Sequence, residues 1–243
     1  MTRLSLSLLD LTLPTIEANL ALDEALLIAA EERGAGPILR FWEPRAVTVV
    51  LGASSRLRDD VEVERCQAEG VPVARRSSGG GTVVVGPGTL NVAVVLPIDA
   101  QPGLIAVDRA QILVLERIAE ALRELDANVL VQGSGDLTLH DRKFAGSAQR
   151  RLRRHLLVHA TLIYAMPLEL VTRYTRPPAK QPEYRAGRSH VDFLTTLPLP
   201  RSTLTHAIRS AWNADATLAT IPEDLTESLL QEKFLAPGWV SRF

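Results

Sequence analysis

The chain has 243 residues, 46% of them hydrophobic, which supports a full core and excludes global disorder. A formal charge of -1 gives no general attraction to nucleic acid or to an anionic membrane surface, so neither is an expected partner. Cys66 is the single cysteine, which excludes an intrachain disulfide framework and a cysteine-based metal centre and fits a reducing, cytoplasmic compartment.

"MTRLSLSLLDLTLPT" reads as a strand: one arginine before an apolar stretch broken by Asp10 and Pro14 makes no signal peptide, and no apolar run in the chain reaches the length of a membrane span. "IEANLALDEALLIAAEERG" carries good helix formers on a helical period and stops at Gly34. "ILRFW" and "AVTVVLG" are strands with Pro44 and Arg45 in the turn between them. "DVEVERCQAEG" predicts a short amphipathic helix closed by Gly70, with Cys66 as a small half-buried residue. "VPVAR" is a strand that delivers Arg75 and Arg76, and "GTVVV" and "LNVAVVLP" flank Gly86-Pro87-Gly88 and predict a hairpin. "LIAVDRAQILVLERIAEALRELD" is the longest helical pattern. "NVLVQ" and "LTLHDRKFAG" follow as strands, the second turning at His140-Asp141-Arg142, and then "HLLVHATLIYAM", whose residues His155, Leu157, His159 and Thr161 share one face. "RPPAKQPEYRAGRSH" predicts a long loop, and "RSTLTHAIRSAWNA" and "EDLTESLLQEKF" predict helices. Strands joined both by short turns and by helices predict an α/β (α+β) fold: a mixed, largely antiparallel sheet with helices packed on it. Residues 1–243 are expected to form one domain, with a core at about 16–166 and a loop plus C-terminal helices at 167–243.

Two stretches carry the chemistry. In "RRSSGGGTVVVGPGTLN", Arg75 to Asn91, three consecutive glycines mark backbone that must approach something closely. No Gly-Lys-Ser/Thr follows, so the loop is not a P-loop, and a strand comes next, so it is not a dinucleotide fingerprint. Glycine alone leaves a simple turn or bulge open. Arginines at a strand end beside bare backbone N–H groups and two serines point instead to a loop that binds a phosphate or carboxylate. In "GDLTLHDRKFAGSAQRR", Lys143 follows a turn and precedes the small residues Gly146, Ser147 and Ala148. Small neighbours let a ligand lie beside the ammonium, which can hold a carboxylate and then a phosphate; the other reading is a solvated surface lysine. Only Lys143, Lys180 and Lys233 are lysines among 27 basic residues, so one inside a motif stands out, and Lys180 and Lys233 are expected to be replaceable. Asp136, the nearest carboxylate, either positions Mg²⁺ or a hydroxyl or ends a turn. His159 on its apolar strand is either a satisfied core residue or a catalytic one. "RRLRR", Arg150 to Arg154, is either a solvated face or a docking surface for an acidic partner.

"RRSSGGG" leading to Asn91, then "GDLTLHDRKFAGSAQ" and "HATLIY", preceded by "NLALDEALL", "RFWEPRAVTVVLG" and "CQAEGVPVARRSSGGG", fall in one order between Ala18 and Met166. This order resembles the lipoate–protein ligase family. The resemblance implies a fold like that of biotin–protein ligases and class II synthetases, holding a U-shaped acyl-adenylate. It implies Arg76 at the nucleotide phosphates, Gly80, Gly81, Thr82, Val83 and Val84 along the adenylate cleft, and Asn91 and Asp136 at the nucleotide. It further implies Lys143 on the lipoyl carboxylate and then on the acyl phosphate, Gly146, Ser147 and Ala148 as the wall beside it, and His159 and Thr161 near the acyl chain. ATP, Mg²⁺ and lipoate are the implied small molecules, and an acceptor lipoyl-domain protein is the implied partner. No separate C-terminal accessory domain of the kind full-length ligases carry is expected in this chain, which leaves a place for a separate accessory subunit. Three activities follow: an ATP-dependent lipoate–protein ligase, an ATP-independent octanoyl or lipoyl transferase, and a non-catalytic protein that binds lipoylated partners. Val85-Gly86 stands where the ligases carry His-Asp, and Gly86-Pro87-Gly88 is similar to the octanoyltransferases. The related transferases hold their thioester on a cysteine, and Cys66 falls outside both stretches where one is expected, which makes the ligase the leading expectation.

Overall fold

The computed structural model describes residues 4–125, 128–178 and 180–243. Met1, Thr2 and Arg3 of the first expected strand, Asp126 at the end of the longest expected helix and Ala179 in the expected loop lie outside the described residues. In chain order the elements are β1 (Ser7–Asp10), α1 (Ile16–Arg33), β2 (Ile38–Trp42), β3 (Thr48–Leu51), α2 (Leu57–Asp60), α3 (Val63–Ala68), β4 (Val73–Arg75), β5 (Val83–Val85) and β6 (Thr89–Pro97). There follow α4 (Val107–Arg123), β7 (Val129–Gln132), β8 (Asp136–Leu139), β9 (Arg142–Arg151), β10 (His155–Ile163), α5 (Glu169–Tyr174), α6 (His190–Phe193), α7 (Arg201–Ala211), β11 (Ala216–Thr217), α8 (Glu223–Leu229) and α9 (Pro237–Ser241).

The large sheet has the order β11-β1-β2-β6-β10-β9-β8-β7, and a small sheet has the order β4-β3-β5. In the large sheet β1 runs parallel to β2 and β11 and the remaining pairs are antiparallel, so the expected mixed, largely antiparallel architecture is present. Successive strand residues point to opposite faces. The even-numbered residues Leu90, Val92, Val94 and Leu96 of β6 and Leu156, Val158, Ala160 and Leu162 of β10 therefore enter one core, closed by α4 and α7 through residues such as Leu115, Ile118, Leu204 and Trp212. Ala93, Val95 and Leu157 face the other way, onto Leu22, Leu26 and Leu27 of α1. Helix α1 starts where the Thr15 side chain accepts the Ala18 N–H and ends at Gly34 in the left-handed region. It is wrapped on several sides, because Ile16, Leu20 and Ala21 also meet Val50, Ala74 and Val85 of the small sheet.

Three local expectations are corrected. The strands around Gly86-Pro87-Gly88 do not form a hairpin: β5 pairs with β3, whereas β6 pairs with β2 and β10. The turn carries the chain from one sheet to the other. Gly88 sits at φ +89, its carbonyl accepts the N–H groups of Tyr164, Ala165 and Met166, and a Cβ there would lie 2.3 Å from Met166 N. The helix expected over "DVEVERCQAEG" starts at Val63, because Val61 is drawn into a bridge with Thr175. The last helical pattern is α-helical only to Leu229 and continues as a π-helical turn, Leu230–Phe234. Cys66 is fully buried with Val49, Leu51, Val84 and Tyr174, and burial, with Glu69 close by, pushes its thiol pKa up. No helix among the described residues is long and apolar enough to cross a membrane.

Candidate active site

The α1-facing side of the large sheet loses its apolar cover toward β9. Two rows of residues share that face by register alone. One row runs Trp42, Asn91, Thr161, Gly146, Asp136, and the next runs Arg40, Ala93, His159, Ala148. A cleft lies over Trp42, Asn91, Thr161 and Gly146 of the first row and His159 and Ala148 of the second, with the glycine loop as its opposite wall. Leu20, Trp42, Val50 and Val85 make one end apolar, and Lys143 stands toward the other, over Gly146.

The paired arginines divide their work. Arg75, fully buried, donates to the carbonyls of Gly52, Ser55, Trp239 and Val240, and its own carbonyl accepts Trp239 Nε1–H. It ties the C-terminal segment behind the loop. Arg76 faces the cleft and shapes the loop, donating from Nη2 to the Gly79 and Gly81 carbonyls at 2.6 and 2.8 Å and from Nε to Ser78 Oγ at 3.0 Å. Among the described residues no carboxylate pairs with Arg76, and burial alone brings its guanidinium down to about 10. A buried cation without a counter-ion favours an anion beside it. Gly80, at φ +85, packs under this guanidinium, and a Cβ there would lie 2.9 Å from Arg76 Nη2.

Lys143 Nζ lies 2.7 Å from Asp136 Oδ1, and the other Asp136 oxygen accepts the Tyr184 hydroxyl at 2.7 Å. The ammonium crosses Gly146 so closely that a Cβ at that position would be 2.8 Å from Nζ. Ser147 is fixed by Gln111, which donates to its Oγ, and by its own bond to the Gly135 carbonyl. Thr161 donates to Asn91 Oδ1 at 2.7 Å, which leaves the buried Asn91 Nδ2 without a protein acceptor among the described residues.

His159 connects the loop to α1. Ser78 Oγ accepts from Arg76 Nε and lies 2.5 Å from His159 Nε2. His159 Nδ1 is 3.8 Å from Asp23 Oδ2, too long for a hydrogen bond. Asp23 is buried, which by itself raises a carboxyl pKa, but Arg40 at 2.5 Å and His159 hold it below the usual range.

The structure brings together around the cleft Arg76, Gly81, Thr82, Val83, Asn91, Lys143, Gly146, Ser147, Ala148, His159 and Thr161. Gly80 and Asp136 stand just behind that lining. Val84 points away, into the cluster around Cys66, because it is out of phase with Val83 and Val85 on the same strand. Sequence reasoning missed the apolar end and the Asp23–Arg40 pair. Their signal was present: Asp23 and Glu24 interrupt an apolar helix, and Arg40 interrupts an apolar strand. The arginines Arg150 to Arg154 are mostly engaged internally. Arg150 pairs with buried Glu24, Arg151 donates to the carbonyls of Leu104 and Ile105, and Arg154, though exposed like Arg153, pairs with Glu31. No group of three or more His, Cys, Asp or Glu side chains among the described residues converges as a metal site.

The mixed sheet thus bears a cleft that is apolar at one end and cationic toward the other. Residues 15–205 match the profile of the Lipoyl protein ligase A/B catalytic domain, and the chain belongs to that family. It is 31% identical over 221 residues to a protein named as a lipoate-protein ligase A in Aeropyrum pernix, covering 88% of this chain and 80% of the relative. It is also 26% identical to the octanoyltransferase LipM of Carboxydothermus hydrogenoformans, covering 93% and 94% of the two chains. The fold is shared with a bipartite lipoate protein ligase of Thermoplasma acidophilum, solved with its E2 lipoyl domain, at a TM-score of 0.83 and 21% identity over 98% of this chain and 96% of that one. A lipoate-protein ligase A bound with ATP superposes at 0.81, again at 21% identity, over 98% of each chain.

Proposed function

We propose that the chain is an ATP-dependent lipoate–protein ligase. The observation that carries this reading is the pairing of two cleft-lining cations with a cleft that holds no cysteine: Arg76 has no counter-ion among the described residues, Lys143 stands over Gly146, and the chain's only cysteine is buried beneath the small sheet. Two cations suit a substrate that starts as a carboxylate and becomes a phosphoanhydride. A thioester-forming transferase needs a nucleophile, and the cleft offers none of the type its relatives use.

In the first half-reaction a lipoate carboxylate oxygen attacks the α-phosphorus of ATP, pyrophosphate leaves, and lipoyl-AMP forms. Lys143 holds the carboxylate by one of its N–H groups while another stays on Asp136. The field of Arg76 opposes the negative charge that gathers at phosphorus. The apolar end at Leu20, Trp42, Val50 and Val85 takes the acyl tail. Asn91 Nδ2–H, lacking a protein acceptor, fits an acceptor atom of the bound ligand. In the second half-reaction the neutral ε-amine of a lysine on an acceptor lipoyl domain attacks the acyl carbon, AMP leaves, and an amide forms with loss of one proton. Among the described residues Asp136 is the single carboxylate paired with Lys143. This suits a magnesium ion travelling with the triphosphate, which takes one or two protein carboxylates and would neutralise phosphate charge when bound.

Lipoate-dependent exchange between ATP and pyrophosphate by the purified chain tests the reading. Exchange supports the ligase; its absence together with octanoyl transfer from a carrier thioester replaces it with the octanoyltransferase, the reading that similarity to LipM and the Gly86-Pro87-Gly88 turn favour. Exchange that appears only on adding a second subunit assigns the chain to a bipartite ligase. Lys143→Ala is expected to fold normally and lose activity on the order of a hundredfold or more, with the exposed Lys180 as a replaceable control.

A further inference from the structure

We propose that Tyr184 is a positioning residue for Lys143, acting through Asp136. The loop that holds it lies outside the motifs that point to the cleft, yet it grips Lys143 from two sides. On the backbone side, Thr195 N–H donates to the Lys143 carbonyl at 2.9 Å, and Leu194 bridges to the same residue. On the side-chain side, the Tyr184 hydroxyl donates to Asp136 Oδ2 at 2.7 Å while Asp136 Oδ1 holds the ammonium at 2.7 Å.

The chemistry gives this chain of contacts a purpose. An ammonium has three donors that swing freely on a flexible stem, and a carboxylate turns easily about its terminal torsion. Lys143 and Tyr184 are the side chains bonded to Asp136 among the described residues. With its second oxygen fixed, Asp136 presents the first in one direction, and Lys143 is held across Gly146 with two N–H groups left for the ligand. Tyr184 is itself immobilised. Its ring packs on Phe193 at 5.2 Å between centroids, a Cβ on Gly133 would approach Tyr184 Cε1 to 3.2 Å, and its carbonyl accepts from Arg188 Nη2 at 2.8 Å. Arg185 and Arg188 donate to each other's carbonyls and close the loop around it.

The effect on turnover rests on the function proposed for Lys143; the contact itself does not, so the test has two arms. In the kinetic arm, Tyr184→Phe keeps the ring and removes the hydroxyl. It should lower kcat about tenfold with little change in the KM for lipoate, and it should cost nothing more once Asp136→Ala has removed the intermediary. Cys66→Ser lowers stability in a cluster away from this chain of contacts, so it should lower the melting temperature and spare kcat. In the second arm, limited acetylation read by mass spectrometry compares Lys143 with the exposed Lys180 in the same molecule. An ammonium kept on a fixed carboxylate acylates slowly, so the ratio should rise severalfold in Tyr184→Phe and stay unchanged in Cys66→Ser. Loss of kcat in parallel with melting temperature in both variants, full additivity with Asp136→Ala, or an unchanged acetylation ratio would each overturn the proposal. If the wild-type chain shows neither exchange nor transfer, the functional reading fails and the acetylation ratio alone decides the positioning.

Discussion

Gly146→Ala isolates the position of the Lys143 ammonium from its presence. Gly146 lies within a regular strand without a positive φ, so alanine meets no backbone obstacle and gains roughly 0.4–1 kcal/mol from a less flexible unfolded chain. The new Cβ would lie 2.8 Å from Nζ and 3.0 Å from Cε, against 3.4–4 Å for ordinary contact, a shortfall of roughly 0.6–1.2 Å. The obstructing atoms are the far end of a flexible side chain, so the ammonium retreats and the strand stays. Displacing a catalytic group by about 1 Å costs on the order of a hundredfold in rate, or about 2.7 kcal/mol of barrier. The expected variant melts within about 2 °C of wild type and loses between tenfold and a hundredfold in lipoate-dependent exchange. Activity within threefold of wild type at an unchanged melting temperature would refute the reasoning, because the reacting oxygen would then not depend on where Nζ lies.

Gly80→Val should melt roughly 2–8 °C lower even without ligand, since a left-handed residue gains a branched side chain against Arg76, a strain of roughly 1–2 kcal/mol; an unchanged melting curve contradicts the loop geometry. Cys66→Ser should retain activity while the buried hydroxyl costs about 1–3 kcal/mol, and a hydroxylamine-sensitive acyl adduct on Cys66 would favour the transferase. Lys233→Met should destabilise by about 2 kcal/mol, below the ~3–5 for a buried charge left alone, because Glu24 keeps Arg150; calorimetry showing no change would mean that the Lys233–Glu24 bond contributes nothing.

Much of this was legible before any coordinates. Periodicity gave α1, α4 and β10. The His140-Asp141 turn is there with both residues at positive φ, and Gly146, the first of the small residues after Lys143, lies beneath its ammonium. What escaped depended on partners far along the chain. The alternation of "GTVVV" and "LNVAVVLP" is the same whether the two pair with each other or with strands of different sheets. Arg75 and Arg76 differ only in strand phase, which sends one to the Trp239 and Val240 carbonyls and the other into the cleft. Lys233 reads as a helix-surface cation, yet it reaches Glu24 on α1 at 2.7 Å. The arginines of "RRLRR" read as a patch because nothing in sequence shows Glu24, Glu31 and the Leu104 carbonyl waiting opposite them.

The row Trp42, Asn91, Thr161, Gly146 crosses four neighbouring strands, so its ends stand three strand spacings apart, roughly 14 Å. Hydrogen bonding holds that interval as firmly as any distance in a protein. On the proposed function, an acid lying along the row with its head at Lys143 would be measured by a ruler whose divisions are strands and whose stop is an indole. Loops would change how fast such a ligand enters, and the sheet would set the length it can have. Trimming the stop should lengthen the admissible chain in steps of methylene groups, without any alteration at the charged end.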